Sequence, residues 1–204
     1  SVQPLSINYG DTVRRLQDKP PPRREPAGER RGGHPVVRMQ MEHLRAALGS
    51  GMPRHSGTGV DGWRFEHFRD LCGGDQRART LVLQILQRIG DARVPPRVGR
   101  FLRVTVLMAF PKEGGDDVRP IGIASVVRRL LGRVVMEGVR EEFARAVAPF
   151  QFACGVRGGT DMLCHTMRVL LDMHPDWVWF AWDLAKAFNT VSREAVLRAL
   201  EAEE

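Results

Sequence analysis

Cysteine is scarce and oddly placed: Cys72, Cys154 and Cys164 are three in number, and no two stand at a CxxC spacing. Neither a paired disulfide framework nor a zinc site is indicated, and a reducing, intracellular setting fits best. Long apolar runs are missing as well. None approaches the roughly 20 residues needed to span a bilayer, and the first residues lack the charged-then-apolar layout of a secretory signal. The expectation is an intracellular protein, nuclear or cytoplasmic, with no membrane partner. Lysine is nearly absent, Lys19, Lys112 and Lys186 being the only ones among 31 basic residues, so arginine carries the net charge of +7. Such a balance suits a phosphate-rich partner, since each phosphate neutralised releases a condensed counterion. A GC-rich coding sequence produces the same arginine bias without selection for nucleic acid. An initiating methionine is also missing: the chain starts at Ser1, and Glu201 to Glu204 lie in an apparently continuing helix. Both ends read as cuts in a longer gene product.

What is present is enough for one domain with a core, at 204 residues and 43% hydrophobic content. Residues 1–35 form a basic arm rich in Pro, Arg and Gly (Lys19-Pro20-Pro21-Pro22-Arg23-Arg24, Arg30-Arg31-Gly32-Gly33), too poor in apolar surface to offset its ordering entropy. It is expected to be flexible, either a solvated linker or a nucleic-acid contact. Residues 36–204 are expected to be ordered. Val37, Met41, Leu44 and Leu48 recur at helical spacing until Gly49-Ser50-Gly51. In the loop Gly57-Thr58-Gly59-Val60-Asp61-Gly62, Asp61 is positioned to cap a short helix bearing Trp63, Phe65 and Phe68, which Gly73-Gly74 stops. Ala78, Val82, Ile85, Leu86 and Ile89 share one face of the next helix, and Pro95-Pro96 forbids its continuation.

Phe101 to Phe110 has the Val, Leu and Phe content of a strand, and Val118 to Ile123 supplies a second, with residues 113–117 as the turn of a hairpin. Ser125 can cap a helix carrying Val127, Leu130, Leu131, Val134 and Val135 and running through Phe143 toward Pro149. Another helix is expected from about Thr160 to Met173, closed by Pro175. Trp177 to Trp182 is apolar on both alternating faces, the pattern of a buried central strand, and it delivers Asp183 at its end. Ser192 opens a final helix with Val196, Leu197 and Leu200 on one side. The fold class is therefore α+β, with no internal repeat.

An acidic side chain leaving so apolar a strand is costly unless paired, capped or bound to metal, and a carboxylate is the hard ligand that Mg²⁺ prefers. Taken by itself Asp183 reads more readily as a cap of the turn that follows. Its neighbours add a second argument: Asp183-Leu184-Ala185-Lys186-Ala187-Phe188-Asn189-Thr190-Val191 resembles, almost residue for residue, the first catalytic block of reverse transcriptases. Phe110-Pro111-Lys112 with Val118-Arg119-Pro120-Ile121-Gly122-Ile123 is similar to that family's fingers hairpin. Pro149 to Asp161, with Gln151 and its glycines, is similar to the block preceding the catalytic strand. Gly59-Val60-Asp61-Gly62-Trp63 resembles an upstream block of the non-LTR-type retroelement enzymes and is the least specific of the four. The blocks occur in family order over residues of about 57 to 198.

The resemblance implies right-hand polymerase architecture, here the fingers and the start of the palm, with the arm at 1–35 and the polymerase portion at 36–204. It implies that Asp183, helped by the Leu184 carbonyl, binds two Mg²⁺ ions, which in the general two-metal scheme lie about 3.5–4 Å apart, together with carboxylates of a later hairpin. Lys112 and Arg119 would hold the triphosphate, Arg through its planar fork and Lys as a compact charge. Paired with Glu113, Asp116 and Asp117, the two are equally ordinary surface charges. Phe188 would lie under the sugar of the incoming deoxynucleoside triphosphate and clash with a 2′ hydroxyl; core packing is its plain alternative. Gln151, Gly155 and Arg157 would contact RNA template and DNA primer, although a glycine-rich turn before a helix also serves the helix alone. His165 and His174 lack a second ligand at metal spacing and read as structural, as do the tryptophans.

The sequence departs from the family in having no apolar strand hairpin with paired aspartates before Glu204, for which Asp116-Asp117 is no substitute. The implied activity is RNA-directed DNA polymerisation by a retroelement enzyme, a nucleotidyltransferase, of which these residues by themselves are expected to be inactive. Two alternatives stay open: a decayed or domesticated nucleic-acid-binding fragment without catalysis, and an RNA-templated RNA polymerase. Oligomeric state is not readable from the sequence.

Overall fold

A computed structural model describes Arg14 and residues 37–49, 55–111, 118–153, 156–183 and 192–201. The rest of the arm, residues 112–117, Cys154 and Gly155, and residues 184–191 lie outside these. Among the described residues the elements run α1 (Met41–Gly49), α2 (Phe65–Gly73), α3 (Gln76–Gly90), α4 (Pro96–Arg103), β1 (Thr105–Pro111), β2 (Val118–Ala124), α5 (Val126–Val147), α6 (Gly159–Met173) and α7 (Arg193–Glu201). The protein is mixed α and β, with β1 and β2 paired in a two-stranded antiparallel sheet. The chain divides into two compact units, one of residues 1–34, 107–122 and 180–204, the other of 35–106 and 123–179.

The core belongs to the second unit. Leu44, Leu86, Val126, Leu130 and Val134 are sealed from solvent or nearly so, and Phe65, Phe68 and Val82 join them. Helix α1 packs on α5, α3 and α2, and α3 also meets α2 and α5. The spacing explains which faces turn inward: Val126, Leu130 and Val134 recur every four residues, one stripe of a helix. On α3 the stripe is narrower than its pattern suggested. Val82 and Leu86 are buried, Ala78 and Ile89 half-buried, and Ile85 is 54% exposed, because α1 and α5 cover only one ridge. Gln87 secures the entry to α1: its Oε1 accepts from the Met39 amide at 2.9 Å, and its Nε2 donates to the Val37 carbonyl and to Asp91.

Side-chain caps open three of the helices. Asp75 accepts from the Arg77 amide at 2.7 Å to open α3, and Ser125 Oγ accepts from the Arg128 amide at 3.2 Å to open α5, as its position suggested. Ser192 does the same for α7 through the Ala195 amide. Asp61 does not cap α2. The helix begins four residues later at Phe65, and Asp61 Oδ1 instead accepts from the Trp63 amide at 3.4 Å, while the Arg64 amide donates to His67 Nδ1 at 3.2 Å.

Two expectations are overturned. Phe101 to Arg103 are helical, and the strand starts only at Thr105. The preceding helix has stopped at Gly90, before the prolines, and Pro96 itself starts α4, since at the first turn of a helix its missing amide is harmless and its fixed φ is already helical. The segment Trp177 to Trp182 is not a buried strand. It has no regular structure, and Val178, Phe180 and Trp182 are 74%, 71% and 88% exposed. A strand apolar on both faces needs neighbours on both edges and cover on both faces, and among the described residues the only sheet is β1–β2.

Candidate functional site

Strand β2 begins with Val118 fully buried and Arg119 exposed, the alternation expected of successive residues in a strand. Arg119 therefore reaches solvent on β2. Asp183 is also exposed, at the end of the irregular segment that starts at Trp177. Both belong to the first compact unit. Leu184, Phe188 and Lys112 lie outside the described residues, so the remainder of the implied nucleotide site does too.

Among the described residues no three His, Cys, Asp or Glu side chains gather where they could hold a metal ion. Asp183 is chemically suited to Mg²⁺ as a hard oxygen donor, but it brings one carboxylate to a site that needs several.

The third group of residues surrounds the turn into α6. Gly158 adopts φ 66°, the left-handed region that glycine enters without penalty, and caps the helix. Gly159 is buried directly against the Phe152 carbonyl, closer than any Cβ would permit. These two glycines thus serve the packing of their own loop. Gln151 Oε1 accepts from the Ala153 amide at 2.7 Å and folds the loop on itself, while Arg157 stands exposed in the turn. Gln151 also borders a cleft of about 910 Å³ lined mostly by apolar residues, among them Phe150, Phe152, Met162, Leu170 and Trp179, with Thr160 and Thr166. Sequence reasoning missed this cleft. Its signal was there in the Phe150/Phe152 pair next to a helix whose apolar residues exceed what one face can bury.

The upstream block proves the most completely built. Gly59 rests on the β2–α5 junction, where an added Cβ would come within 2.6 Å of Ser125 Cα and 2.7 Å of its nitrogen. Arg129 of α5 reaches across, donating to the Gly57 carbonyl at 2.7 Å and to Ser56 Oγ at 3.4 Å, with its guanidinium 4.8 Å above the Phe65 ring. Burial pulls the Arg129 pKa down, and the nearby Asp61 carboxylate opposes it. At the start of the same loop His55, at φ 58°, donates its amide to Glu66 Oε1 at 2.8 Å. That hydrogen bond holds the Glu66 carboxyl below the usual carboxylate range. Neither Arg129 nor Glu66 was singled out from the sequence, because both look like ordinary charges on an amphipathic helix.

A second cleft, of about 500 Å³, runs along α5 between Arg129, Arg133, Met136, Glu137, Arg140 and Phe143. Neither cleft includes Asp183 or Arg119. Comparison of the chain with known protein families, with curated proteins and with solved structures finds no match.

Proposed function

We propose that the chain is the fingers and first palm portion of an RNA-directed DNA polymerase of retroelement type. The observation that carries the reading is the pairing of β1 with β2, the two segments similar to the fingers hairpin, which leaves Arg119 exposed on β2. The block from Asp183 to Val191 supplies the chemical half of the argument, with its carboxylate exposed rather than consumed by core packing. In this reading Arg119 and Lys112 neutralise the triphosphate of a deoxynucleotide and Phe188 excludes a 2′ hydroxyl. Mg²⁺, held by Asp183 and carboxylates beyond this set, would supply the electrophilic assistance of phosphoryl transfer. The 204 residues by themselves are expected not to polymerise.

The test is primer extension on an RNA template by the product of the whole gene, including any coding sequence after Glu204. Deoxynucleotides should be incorporated in preference to ribonucleotides, and Phe188→Ala should relax that preference. Preference for ribonucleotides by the unaltered enzyme would instead favour an RNA-templated RNA polymerase. The exposed, unpaired Trp177–Trp182 segment favours a second reading, a decayed or domesticated nucleic-acid-binding protein. In that case no whole-gene product extends a primer, while salt-dependent nucleic-acid binding persists.

A further inference from the structure

Helix α4 is short, exposed and one-sided in charge. From Ala92 to Pro111 the chain holds Arg93, Arg97, Arg100 and Arg103 and no acidic residue. The last three stand three residues apart on α4, so they line one side of the helix with a rise of about 4.5 Å between neighbours. All three are exposed, and among the described residues none of their guanidinium groups makes a hydrogen bond or an ion pair. Gly99 lies between Arg97 and Arg100, with nothing within 4 Å of where a Cβ would sit, so a ligand can approach the helix backbone there. Phe101, one turn after Arg97, is 47% exposed although aromatic.

We infer that this face of α4 binds single-stranded nucleic acid, with Arg97, Arg100 and Arg103 on consecutive phosphates and the Phe101 ring stacked under one base. The arginine stripe spans about 9 Å along the helix, and its three flexible side chains can follow successive phosphates of one strand. An exposed ring beside the stripe distinguishes a single strand from a duplex, whose bases are already stacked and unavailable. Leu102 is half-buried in the protein, which leaves Val98 and Phe101 as the exposed apolar part of α4 and gives an anionic membrane little to bury. The ribose or deoxyribose identity of the strand is left to the experiment. The inference does not depend on the polymerase reading, since it needs neither Mg²⁺ nor Asp183.

The experiment is fluorescence anisotropy with a labelled 20-nucleotide RNA, the same sequence as DNA, and a blunt duplex, in EDTA, over a series of KCl concentrations. R97Q/R100Q/R103Q should flatten the dependence of log K on log salt by about 2 units for a single strand, because each lost phosphate contact removes about 0.7. A charge-matched control, R45Q/R77Q/R88Q, changes the net charge equally on other exposed helix positions and should leave most of the slope in place. Lysine at the three α4 positions should restore it. Phe101→Ala should weaken single-strand binding while keeping the slope. Retention of the slope in the α4 glutamine variant, equal flattening in the control, tighter binding of the duplex, or a preference for anionic phospholipid vesicles would each overturn the inference. Circular dichroism melting of every variant separates lost binding from lost folding.

Discussion

The Arg129 guanidinium donates a 2.7 Å hydrogen bond to the Gly57 carbonyl, joining the loop before α2 to a helix more than seventy residues later in the chain. Because the donor is charged and partly desolvated, the contact is stronger than a neutral hydrogen bond. Arg129→Met, which keeps the aliphatic stem, should cost about 1.5–3 kcal/mol. Thermal unfolding should shift down by about 3–10 °C for a domain of this size, and an unchanged midpoint would show the contact to be incidental.

Gly59 and Gly132 make opposite predictions. Gly59→Ala drives a Cβ into the Ser125 backbone, which cannot swing aside as a side chain would, and should destabilise by about 1–3 kcal/mol. Gly132 lies within α5 with nothing within 4 Å of its missing Cβ, so Gly132→Ala should stabilise by about 0.5–1 kcal/mol. Urea denaturation of both variants checks the pair, and similar midpoints would contradict the packing described here.

Acid should weaken the loop before the rest of the domain. The Glu66 pKa is lowered in the folded state, first by the His55 amide. Its contribution is therefore fully present above the unfolded value of about 4.3 and is lost as pH falls through the folded one. Glu66→Gln should flatten the fall in stability on acidification while leaving a smaller stability at neutral pH. Parallel pH profiles for the two proteins would argue against the assignment.

Trp182 should be dispensable to folding. At 88% exposure, Trp182→Ala is expected to change stability by less than about 0.5 kcal/mol, whereas Leu130→Ala, in the sealed core, should cost about 2–5 kcal/mol. Acrylamide quenching of the tryptophans should be efficient. A large loss on Trp182→Ala would restore the buried strand that the sequence pattern suggested.

That segment marks the limit of what the sequence makes legible. Helix boundaries set by local chemistry were readable, because Ser125, Ser192, Gly73 and Pro149 act within a turn of themselves. The hairpin was readable for the same reason, as two apolar runs around an acidic, glycine-containing turn. Burial of Trp177–Trp182 was not, since apolarity records that a segment can be covered and says nothing of whether a neighbour covers it. Helix α4 was hidden by composition: Phe101 and Leu102 are as acceptable in a strand as in a helix, and Pro96 marks a helix start as readily as a stop. Of the candidate site, the residue types were legible and the network of Arg129, Gly57 and Glu66 was not, because it depends on a contact far along the chain.

The most direct measurement is Mg²⁺-dependent primer extension on an RNA template by the product of the whole gene, with and without Asp183→Ala. The proposed function requires extension by the unaltered protein and its loss in the variant, with folding and RNA binding unchanged. Full extension by the Asp183→Ala protein would remove that carboxylate from the chemistry and contradict the assignment.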